Sequence, residues 1–439
     1  MLVVSYLLYM NFNTAYAFIL LGITTVTYLS ARLIEGKKAA GGSKCLLAIG
    51  VILTLFPLLV FKYYNFICES GESMLRMIGM RVTLPGLNWA VPVGISFFTF
   101  QALGYLWDVW YGRIKSEKNF LHYALFVGFF PQICSGPISR ASELLPQIKG
   151  NRKFCYDQIR DGLRLILWGV FMKVVIADRL GIYVDTVYSH IENYSGATLF
   201  LSSVFYTIQI YGDFAGYSLM AIGVGKTLGF NLVNNFNRPY LATSITDFWK
   251  RWHISLTRWL TQHVYIQLGG NRCSKARCYA NIMVTFLVSG IWHGANWTFV
   301  VWGLLHGLFQ IIEKALGLQK CESNRWHIEK PLRICITFIL VNFAWILFRM
   351  PSIEDAYTVI FKILTLSGGV SQSVEYLLVI SMALLMLFCK EFSEEYFDGK
   401  PKIIESRFII IRWAAYIAIT AFVLLYGVFD STQFIYVSF

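Results

Sequence analysis

The chain has 439 residues, of which 56% are hydrophobic, 17% aromatic and only 14% charged. Soluble domains carry about 25% charged residues, so this composition excludes an ordinary soluble protein and predicts an integral membrane protein. The net charge of +13 comes from Lys and Arg residues that end apolar runs, a pattern of cytoplasmic loops and anionic-lipid contacts rather than of nucleic-acid binding.

Apolar stretches of spanning length recur along the whole chain and predict an all-α integral membrane protein, a multi-pass helical bundle of about 9–11 spans. The first stretch is long enough to span, so we expect a membrane helix there and not a cleaved signal. With no internal repeat and no linker, residues 1–439 are predicted to form a single polytopic domain with a motif-bearing core at about 88–350. The predicted spans are residues 2–31, 45–66, 88–111, 159–177, 197–222, 279–312, 331–348, 374–390 and 407–429.

Two shorter apolar pieces, 120–138 and 241–268, carry polar and helix-breaking residues. Residues 130–137 of the first piece include two prolines and a glycine, which a regular helix does not accommodate. Because irregular backbone at membrane depth must be shielded by protein or line a wet cavity, we predict re-entrant or discontinuous segments at both places. The stretch 279–312 is long enough for one tilted helix or for two closely joined helices.

The second of these pieces predicts a helix with two distinct faces. The capping sequence at 244–247 predicts a helix start, and Asp247 lies four residues before Arg251, a spacing that allows an ion pair. Arg258 shares their face, whereas His253 lies on the other face among aromatic residues. The pattern fits basic groups at a headgroup or a nucleotide phosphate, and it equally fits an interfacial amphipathic helix with a tryptophan belt.

Two histidines flanked by tryptophans are the main candidates for chemistry. His253 lies in the motif 247–255, and His293 lies in the motif 290–297. An ionisable ring at bilayer depth is costly to leave unpaired, so each is a functional-site hypothesis and together they suggest a proton-handling centre. If the helix continues through the second motif, Asn296 shares a face with His293. The alternative for His293 is a single structural hydrogen bond between helices.

The remaining metal-ligating residue types give weaker signals. His306 lies near two glycines, far from the polar set, and fits a structural hydrogen bond between helices better than chemistry. Cys273 and Cys278 are close in sequence but lack a second ligand pair, whereas structural zinc needs four ligands. We therefore expect no metal site.

An ordered set of motifs runs through the chain and carries a family resemblance that covers about residues 1–360. The motifs are residues 92–101, 130–138, 213–218, 235–240, 247–256, 268–272 and 292–297. Together they resemble the membrane-bound O-acyltransferase (MBOAT) family, in particular its bacterial branch of polysaccharide O-acetylation proteins. The residues of the last two motifs are more similar to those of that branch than to those of the D-alanyl-teichoic acid branch.

The resemblance implies a helical fold in which two funnels meet at an inner histidine, here His293, with His253 as the second motif histidine. It implies transfer of an acyl group, most simply acetyl, from a cytoplasmic acyl-CoA towards hydroxyls of an extracytoplasmic polysaccharide or a partner protein. Acetyl-CoA or another thioester is then a co-substrate, no cofactor is bound, and a secreted or membrane-anchored SGNH-type acyltransferase is a possible partner. The location implied is the bacterial cytoplasmic membrane. Candidate substrate-binding or donor-binding residues are Asp213, Trp249, Arg251, Ser255, Arg258 and Asn296.

The expected chemistry starts from a hydroxyl, which is a poor nucleophile at neutral pH. A neutral imidazole with a pKa of about 6.5 can take its proton, and such general-base help contributes about 10²–10⁴-fold. We expect His293 to be this base, His253 to position substrate or relay the proton, and Asn296 or a backbone N–H to stabilise the oxyanion. Arg251 and Arg258 are the candidates for donor phosphates.

Three other functions stay open at this point. The same family includes D-alanyl transfer to teichoic acid. A transporter also uses intramembrane histidines and broken helices, although the chain shows no inverted repeat. A non-catalytic membrane scaffold for a secreted acetyltransferase would tolerate the loss of His293.

The basic residues also predict an orientation. Lys37, Lys38 and Lys44 follow the first predicted span, and short loops rich in Lys and Arg stay in the cytoplasm, so the N-terminal end of that span should face outward. The region 244–278 carries six basic residues against one acid, Asp247. Its basic ends should also face the cytoplasm, where a soluble thioester donor is available.

Overall fold

The computed structural model describes residues 1–37, 43–319, 329–365, 368–370, 374–397, 404 and 406–429. Over these ranges the chain forms helices and turns without any β-strand, which confirms the all-α prediction. It divides into two compact units, residues 1–155 with 228–233 and residues 156–227 with 234–439. The single polytopic domain stays a prediction, and Lys38 lies outside the described residues.

The described part of the first unit contains seven α-helices, and a π-helical turn, Leu59–Tyr63, joins the third to the fourth. The α-helices are Leu2–Met10 (α1), Thr14–Lys37 (α2), Ser43–Leu58 (α3), Tyr64–Met77 (α4), Ile95–Trp110 (α5), Phe120–Val127 (α6) and Ala141–Lys149 (α7). The predicted span 2–31 is broken because Asn13 accepts a hydrogen bond of 2.8 Å from the Ala15 N–H and starts a new helix. The predicted span 88–111 becomes helical only at Ile95.

The predicted discontinuity at 120–138 is confirmed, since α6 ends at Val127 and turns follow it. Buried side chains bond to one another around this break. Gln132 Nε2 donates to Gln101 Oε1 at 2.9 Å, Ser139 Oγ donates to Gln132 Oε1 at 2.7 Å, and Gln101 Nε2 donates to the Phe126 carbonyl at 2.5 Å. A satisfied network of this kind allows irregular backbone to stay buried.

The second unit contains the remaining described helices. They are Tyr156–Val170 (α8), Asp178–Tyr188 (α9), Gly196–Thr227 (α10), Ile245–Arg251 (α11), Ile254–Leu260 (α12), Lys275–His293 (α13), Trp297–Ala315 (α14), Glu329–Arg349 (α15), Ile353–Thr365 (α16), Val374–Tyr396 (α17) and Ile409–Tyr426 (α18). A π-helical turn, Phe171–Ala177, joins α8 to α9, and another, Thr261–Tyr265, follows α12. The stretch 279–312 is therefore two joined helices.

Glycines allow the helices of the second unit to approach closely. A Cβ at Gly216 of α10 would lie only 2.8 Å from the carbonyl oxygen of Gly169 on α8. A Cβ at Gly290 of α13 would lie 3.2 Å from the Gly303 Cα on α14 and would overlap the Phe299 carbonyl. His293 is the last residue of α13, next to the short turn that leads into α14, so this crossing fixes the position of the histidine.

The protein is an integral membrane protein. Five stretches of helix are long and apolar enough to cross a membrane: Thr14–Lys37, Ser43–Met77, Glu329–Arg349, Glu375–Tyr396 and Ile409–Tyr426. The larger number of spans and their orientation stay predictions. Helix α10 has 32 residues, which is a length of about 48 Å, and most of its side chains are buried within the second unit.

Candidate active site

His253 lies between two short helices and not within one. The helix α11 begins where the sequence predicts, with Ser244 Oγ accepting a hydrogen bond of 3.0 Å from the Asp247 N–H. It ends at Arg251, and His253 has the left-handed φ of 43° before the next helix starts. A non-glycine residue in this region costs about 1–3 kcal/mol and persists only where its surroundings hold it. The helical spacing predicted through 244–260 is therefore wrong, and with it the face assigned to His253, whereas the predicted discontinuity within 241–268 is confirmed.

Asn235 holds the ring of His253 in a defined state. Its Oδ1 lies 3.2 Å from His253 Nδ1 and also accepts hydrogen bonds from the Ser255 N–H at 3.1 Å and the Ser255 hydroxyl at 2.8 Å. Because a backbone N–H can only donate, this atom is the amide oxygen, and Nδ1 of His253 carries the proton. The neutral ring then keeps its lone pair on Nε2, the form that a base requires.

His293 is the last residue of α13 and is 2% exposed. Its ring packs among three aromatic side chains, with centroid distances of 4.9 Å to Trp292, 5.1 Å to Trp302 and 5.2 Å to Phe348. All three contacts are edge-to-face, an arrangement that fixes the plane of the imidazole. The ring is therefore enclosed by aromatic side chains and held in one plane.

Asn296 belongs to the start of the next helix and does not extend α13. Its Oδ1 accepts a hydrogen bond of 2.9 Å from the Thr298 N–H, and its Nδ2 donates to the Pro351 carbonyl at 2.8 Å. This is an N-cap arrangement, and it uses both ends of the amide. The continuous helix on which Asn296 would share a face with His293 is wrong.

The fold brings the two motif histidines together. The ring centroids of His253 and His293 are 6.4 Å apart, and Trp292 packs against both, at 5.6 Å from His253 and 4.9 Å from His293. Each ring nitrogen lies little more than an ångström from its centroid, so the two imidazoles are too far apart for a direct hydrogen bond. One hydroxyl or water oxygen is of the right size to bridge them.

His306 is the third buried histidine of this region. Trp249 on α11 donates its indole N–H to His306 Nδ1 on α14 at 3.3 Å, which confirms the prediction of a structural bond between helices. The ring of Trp302 lies 4.8 Å from His306 and 5.1 Å from His293, so Trp302 separates His306 from the two motif histidines. The indole N–H of Trp249 is used in this bond, and its predicted substrate contact stays a prediction.

Asp213 lies in a buried ion cluster beside the site. Lys173 Nζ is 2.6 Å from a carboxylate oxygen of Asp213 and 2.6 Å from one of Asp178. Phe214, the next residue of α10, contacts His253 at a centroid distance of 4.7 Å. The carboxylate of Asp213 is thus paired, and its predicted contact to substrate stays a prediction. Sequence analysis missed Lys173, although a lysine inside the predicted span 159–177 is a signal of an intramembrane site.

The predicted donor-binding arginines differ in their surroundings. Arg251 Nε lies 2.9 Å from Asp247 Oδ1, which confirms the predicted pairing, and its two terminal nitrogens each contact Glu395 at 3.0 Å. Carboxylates therefore surround this guanidinium, and its proposed phosphate contact gains no support. Arg258 is exposed on α12, and Ser255 bonds to Asn235. Contacts of these residues to a donor stay predictions.

Within the part of the chain that the structure describes, no group of three or more His, Cys, Asp and Glu side chains is placed to hold a metal ion. Cys273 and Cys278 are free thiols, and Cys278 Sγ lies 2.9 Å from Lys314 Nζ. The expectation of a protein without metal stays a prediction.

Comparison with known proteins finds relatives that match most of the chain. Residues 111–321 match the family model of the membrane-bound O-acyltransferase family. The probable alginate O-acetylase AlgI of Pseudomonas aeruginosa is 36% identical over 358 residues, which cover 81% of this chain and 68% of the relative. The peptidoglycan O-acetyltransferase of Helicobacter pylori is 35% identical over 83% of this chain and 73% of its own length. The teichoic acid D-alanyltransferase of Bacillus subtilis is 28% identical over 76% and 84%, respectively.

Proposed function

The chain belongs to the membrane-bound O-acyltransferase family, and on that premise we propose that it moves an acetyl group from a cytoplasmic acyl-CoA towards hydroxyls of an extracytoplasmic cell-surface polysaccharide. The transfer is direct or passes through a partner protein, such as an SGNH-type acyltransferase. The protein is an O-acyltransferase. The observation that carries the proposal is the meeting of His253 and His293 in one buried aromatic site, with ring centroids 6.4 Å apart.

The proposed chemistry uses the two imidazoles in sequence. The acceptor oxygen attacks the thioester carbonyl carbon as His293 takes the hydroxyl proton, the C–S bond then breaks, and the thiolate leaves with a proton returned by the histidine. His253 can accept a proton only at Nε2, because its Nδ1–H is bonded to Asn235. His253 is therefore suited to receive the proton from His293 through one bridging water. The proton then returns the same way and is transferred to the leaving thiolate.

A candidate donor for the oxyanion, besides Asn296, is the indole N–H of Trp302. Trp302 is fully buried beside His293, and its indole N–H has no hydrogen-bond acceptor among the described residues. A buried donor without an acceptor costs about 1–3 kcal/mol, which a substrate carbonyl oxygen bound there would offset. We assign the Trp302 N–H to the developing oxyanion, since donors placed in advance stabilise the charge that forms in the transition state.

The donor side is supported by exposed basic residues on the segment from the end of α11 to the first turn of α13, which we group as the proposed donor surface. They are Lys250, Arg258, Arg272, Lys275 and Arg277. Basic residues at the ends of apolar segments favour the cytoplasmic side of the membrane. Acyl-CoA thioesters are available on that side, and their phosphate groups are suitable partners for Lys and Arg. Arg251 is left out of this surface because it is paired with Asp247 and Glu395.

The acceptor is proposed from the relatives. An alginate O-acetylase and a peptidoglycan O-acetyltransferase at 36% and 35% identity favour a polysaccharide hydroxyl and an acetyl group. The teichoic acid D-alanyltransferase is more distant, at 28% identity. D-alanyl transfer is therefore the second candidate function. It would produce D-alanyl esters on the cell surface, whereas acetyl transfer would produce acetyl esters.

The decisive variant is His293→Ala, expressed in a strain that lacks the chromosomal gene. We expect the O-acetyl content of the cell-surface glycan to fall by about 10²-fold or more, to the level of the deletion strain, because the general base is lost. His190→Ala, at an exposed histidine, is the matched control and should acetylate normally.

Both variants must reach the membrane in equal amounts by immunoblot. Acetylation retained by His293→Ala would reject the catalytic assignment and favour a scaffold. A loss of D-alanyl esters in the deletion strain, with unchanged acetyl esters, would replace acetyl transfer by D-alanyl transfer.

A further inference from the structure

Two strained backbone positions occur next to each other at the active site. In the described part of the chain, Arg238 and His253 are the non-glycine residues with positive φ, at 48° and 43°. Two backbone hydrogen bonds of 2.9 Å join the segments 235–238 and 251–254, so that both strained residues belong to one paired module. Such conformations persist only where several contacts determine them together, so the contacts of this module decide where His253 is held.

A single carboxylate links the two segments of this module. Glu395, near the end of α17, accepts a bidentate hydrogen bond from Arg251, with 3.0 Å to each terminal nitrogen. The same carboxylate accepts from Arg238 Nε at 2.8 Å. The side chains of Glu395, Arg251 and Arg238 are 13%, 17% and 23% exposed, respectively. Water and salt therefore screen these ion pairs less than they would at the surface.

The same helix makes a second contact with the module. Glu391, one turn before Glu395, accepts a hydrogen bond from the Tyr211 hydroxyl. The ring of Tyr211 packs against Trp252 at a centroid distance of 6.2 Å, and Trp252 directly precedes His253. Two acidic side chains four residues apart on α17 therefore face this region: Glu395 binds the arginines of the module, and Glu391 binds Tyr211, which packs against Trp252.

We propose that Glu395 is a positioning residue, which fixes the backbone of His253 by clamping Arg238 and Arg251 and thereby sets the alignment of the two histidines. The predicted effect of the clamp on the rate of acetyl transfer rests on the proposed function, whereas its effect on the position of His253 does not. Glu395 lies outside the stretch 111–321 that matches the family model, so the clamp adds a contribution of α17 to the site. Bidentate arginine–carboxylate pairs suit this role, because they fix orientation as well as distance.

The clamp can be tested with full-length protein purified in detergent. Glu395→Gln keeps the shape of the side chain but removes the charge that holds two guanidinium groups. We expect kcat for acetyl transfer to fall about tenfold to 100-fold, since a small misplacement of a reacting group has effects of this size. The KM for acetyl-CoA should stay within about twofold, because Glu395 contacts no part of the proposed donor surface.

Three further variants make the result specific. Glu375→Gln, at an exposed residue near the other end of α17, is the matched control and should be unaffected. Glu395→Asp keeps the charge and should recover part of the lost rate. Arg251→Lys keeps its charge but loses the bidentate geometry and should reproduce the defect of Glu395→Gln, so that poor folding of one variant does not decide the test.

A second readout does not depend on turnover. The rate at which diethyl pyrocarbonate modifies His253 can be followed by peptide mass spectrometry, with the buried His306 as an internal reference. We expect modification of His253 to become at least about tenfold faster in Glu395→Gln while that of His306 is unchanged, because local opening needs no global unfolding.

Unchanged kcat, or a lower kcat with unchanged reactivity of His253, would reject the clamp. If the wild-type protein shows no acetyl transfer, the proposed function fails, and the reactivity of His253 alone still decides the clamp.

Discussion

Replacing Asn235 by leucine tests how the active-site histidine is prepared for its role. Leucine has a similar volume but removes Oδ1, the acceptor for His253 Nδ1 and for both donors of Ser255. The serine hydroxyl can rotate to another acceptor, whereas the Ser255 N–H and the His253 Nδ1–H cannot. Each buried donor left without an acceptor costs about 1–3 kcal/mol, so the expected loss of stability is about 2–6 kcal/mol.

The loss of activity in Asn235→Leu should exceed what instability explains. Without the amide oxygen, neither the tautomer nor the orientation of His253 is fixed, so that Nε2 no longer reliably carries the lone pair. If His253 relays the proton, the rate should fall by about 10²-fold or more, within the range of general acid–base contributions. A 10²-fold loss corresponds to about 2.7 kcal/mol of activation free energy.

Asn235→Asp is the matched comparison, since aspartate keeps an acceptor oxygen at the same place. It should retain activity within about tenfold of the wild type, because an oxygen still accepts from Nδ1 and from Ser255. The assay is single-turnover acetyl transfer by purified protein, with thermal unfolding measured in the same detergent. If leucine were tolerated at full rate, or if aspartate were as damaging as leucine, the acceptor role of Asn235 would be refuted.

Two other predictions concern the oxyanion and the orientation. Trp302→Phe keeps the aromatic ring but loses the N–H, and it should lower kcat by about 10²–10³-fold with little change in KM, whereas the exposed control Trp413→Phe should have no effect; equal rates would exclude the oxyanion role. Single cysteines placed by Ser43→Cys and Ser274→Cys in a background without native cysteines should react with an impermeant maleimide only from the cytoplasmic side. Labelling at 274 from outside intact cells would contradict the proposed donor entrance.

Local signals in the sequence were enough to predict the class of fold and part of the candidate site. Composition and apolar spacing predicted an all-α membrane protein, and the prolines of 130–137 predicted the break that follows α6. The cap at Ser244 and the pairing of Asp247 with Arg251 were also predicted, because capping and i,i+4 contacts depend only on neighbours in sequence. The two tryptophan-flanked histidines were singled out by the cost of burying an ionisable ring.

The two wrong predictions at the candidate site, a helix continuing through His253 and a helix continuing to Asn296, arise from contacts that helical periodicity does not show. The residues 244–260 have helical periodicity, and no glycine or proline marks the left-handed conformation at His253. What imposes that conformation is pairing with the segment 235–238, together with contacts to a helix more than a hundred residues away. Likewise, Asn296 caps α14 instead of extending α13, since the sharp turn at Gly294 fits a glycine against the Phe299 ring.

Charged groups lie in two clusters around the candidate site and not at its centre. The ion cluster of Lys173 with Asp178 and Asp213 reaches His253 through Phe214, and the cluster of Glu395 with Arg238 and Arg251 reaches it through the paired backbone. Each charged group in these clusters has a partner, so neither cluster needs water, and aromatic rings enclose the two imidazoles. Transfer of a proton from an acceptor hydroxyl to an imidazole then creates an imidazolium and an oxyanion in a region of low dielectric constant. Its energy depends on groups fixed in advance, and those are the contacts that the variants at Asn235, Trp302 and Glu395 remove one at a time.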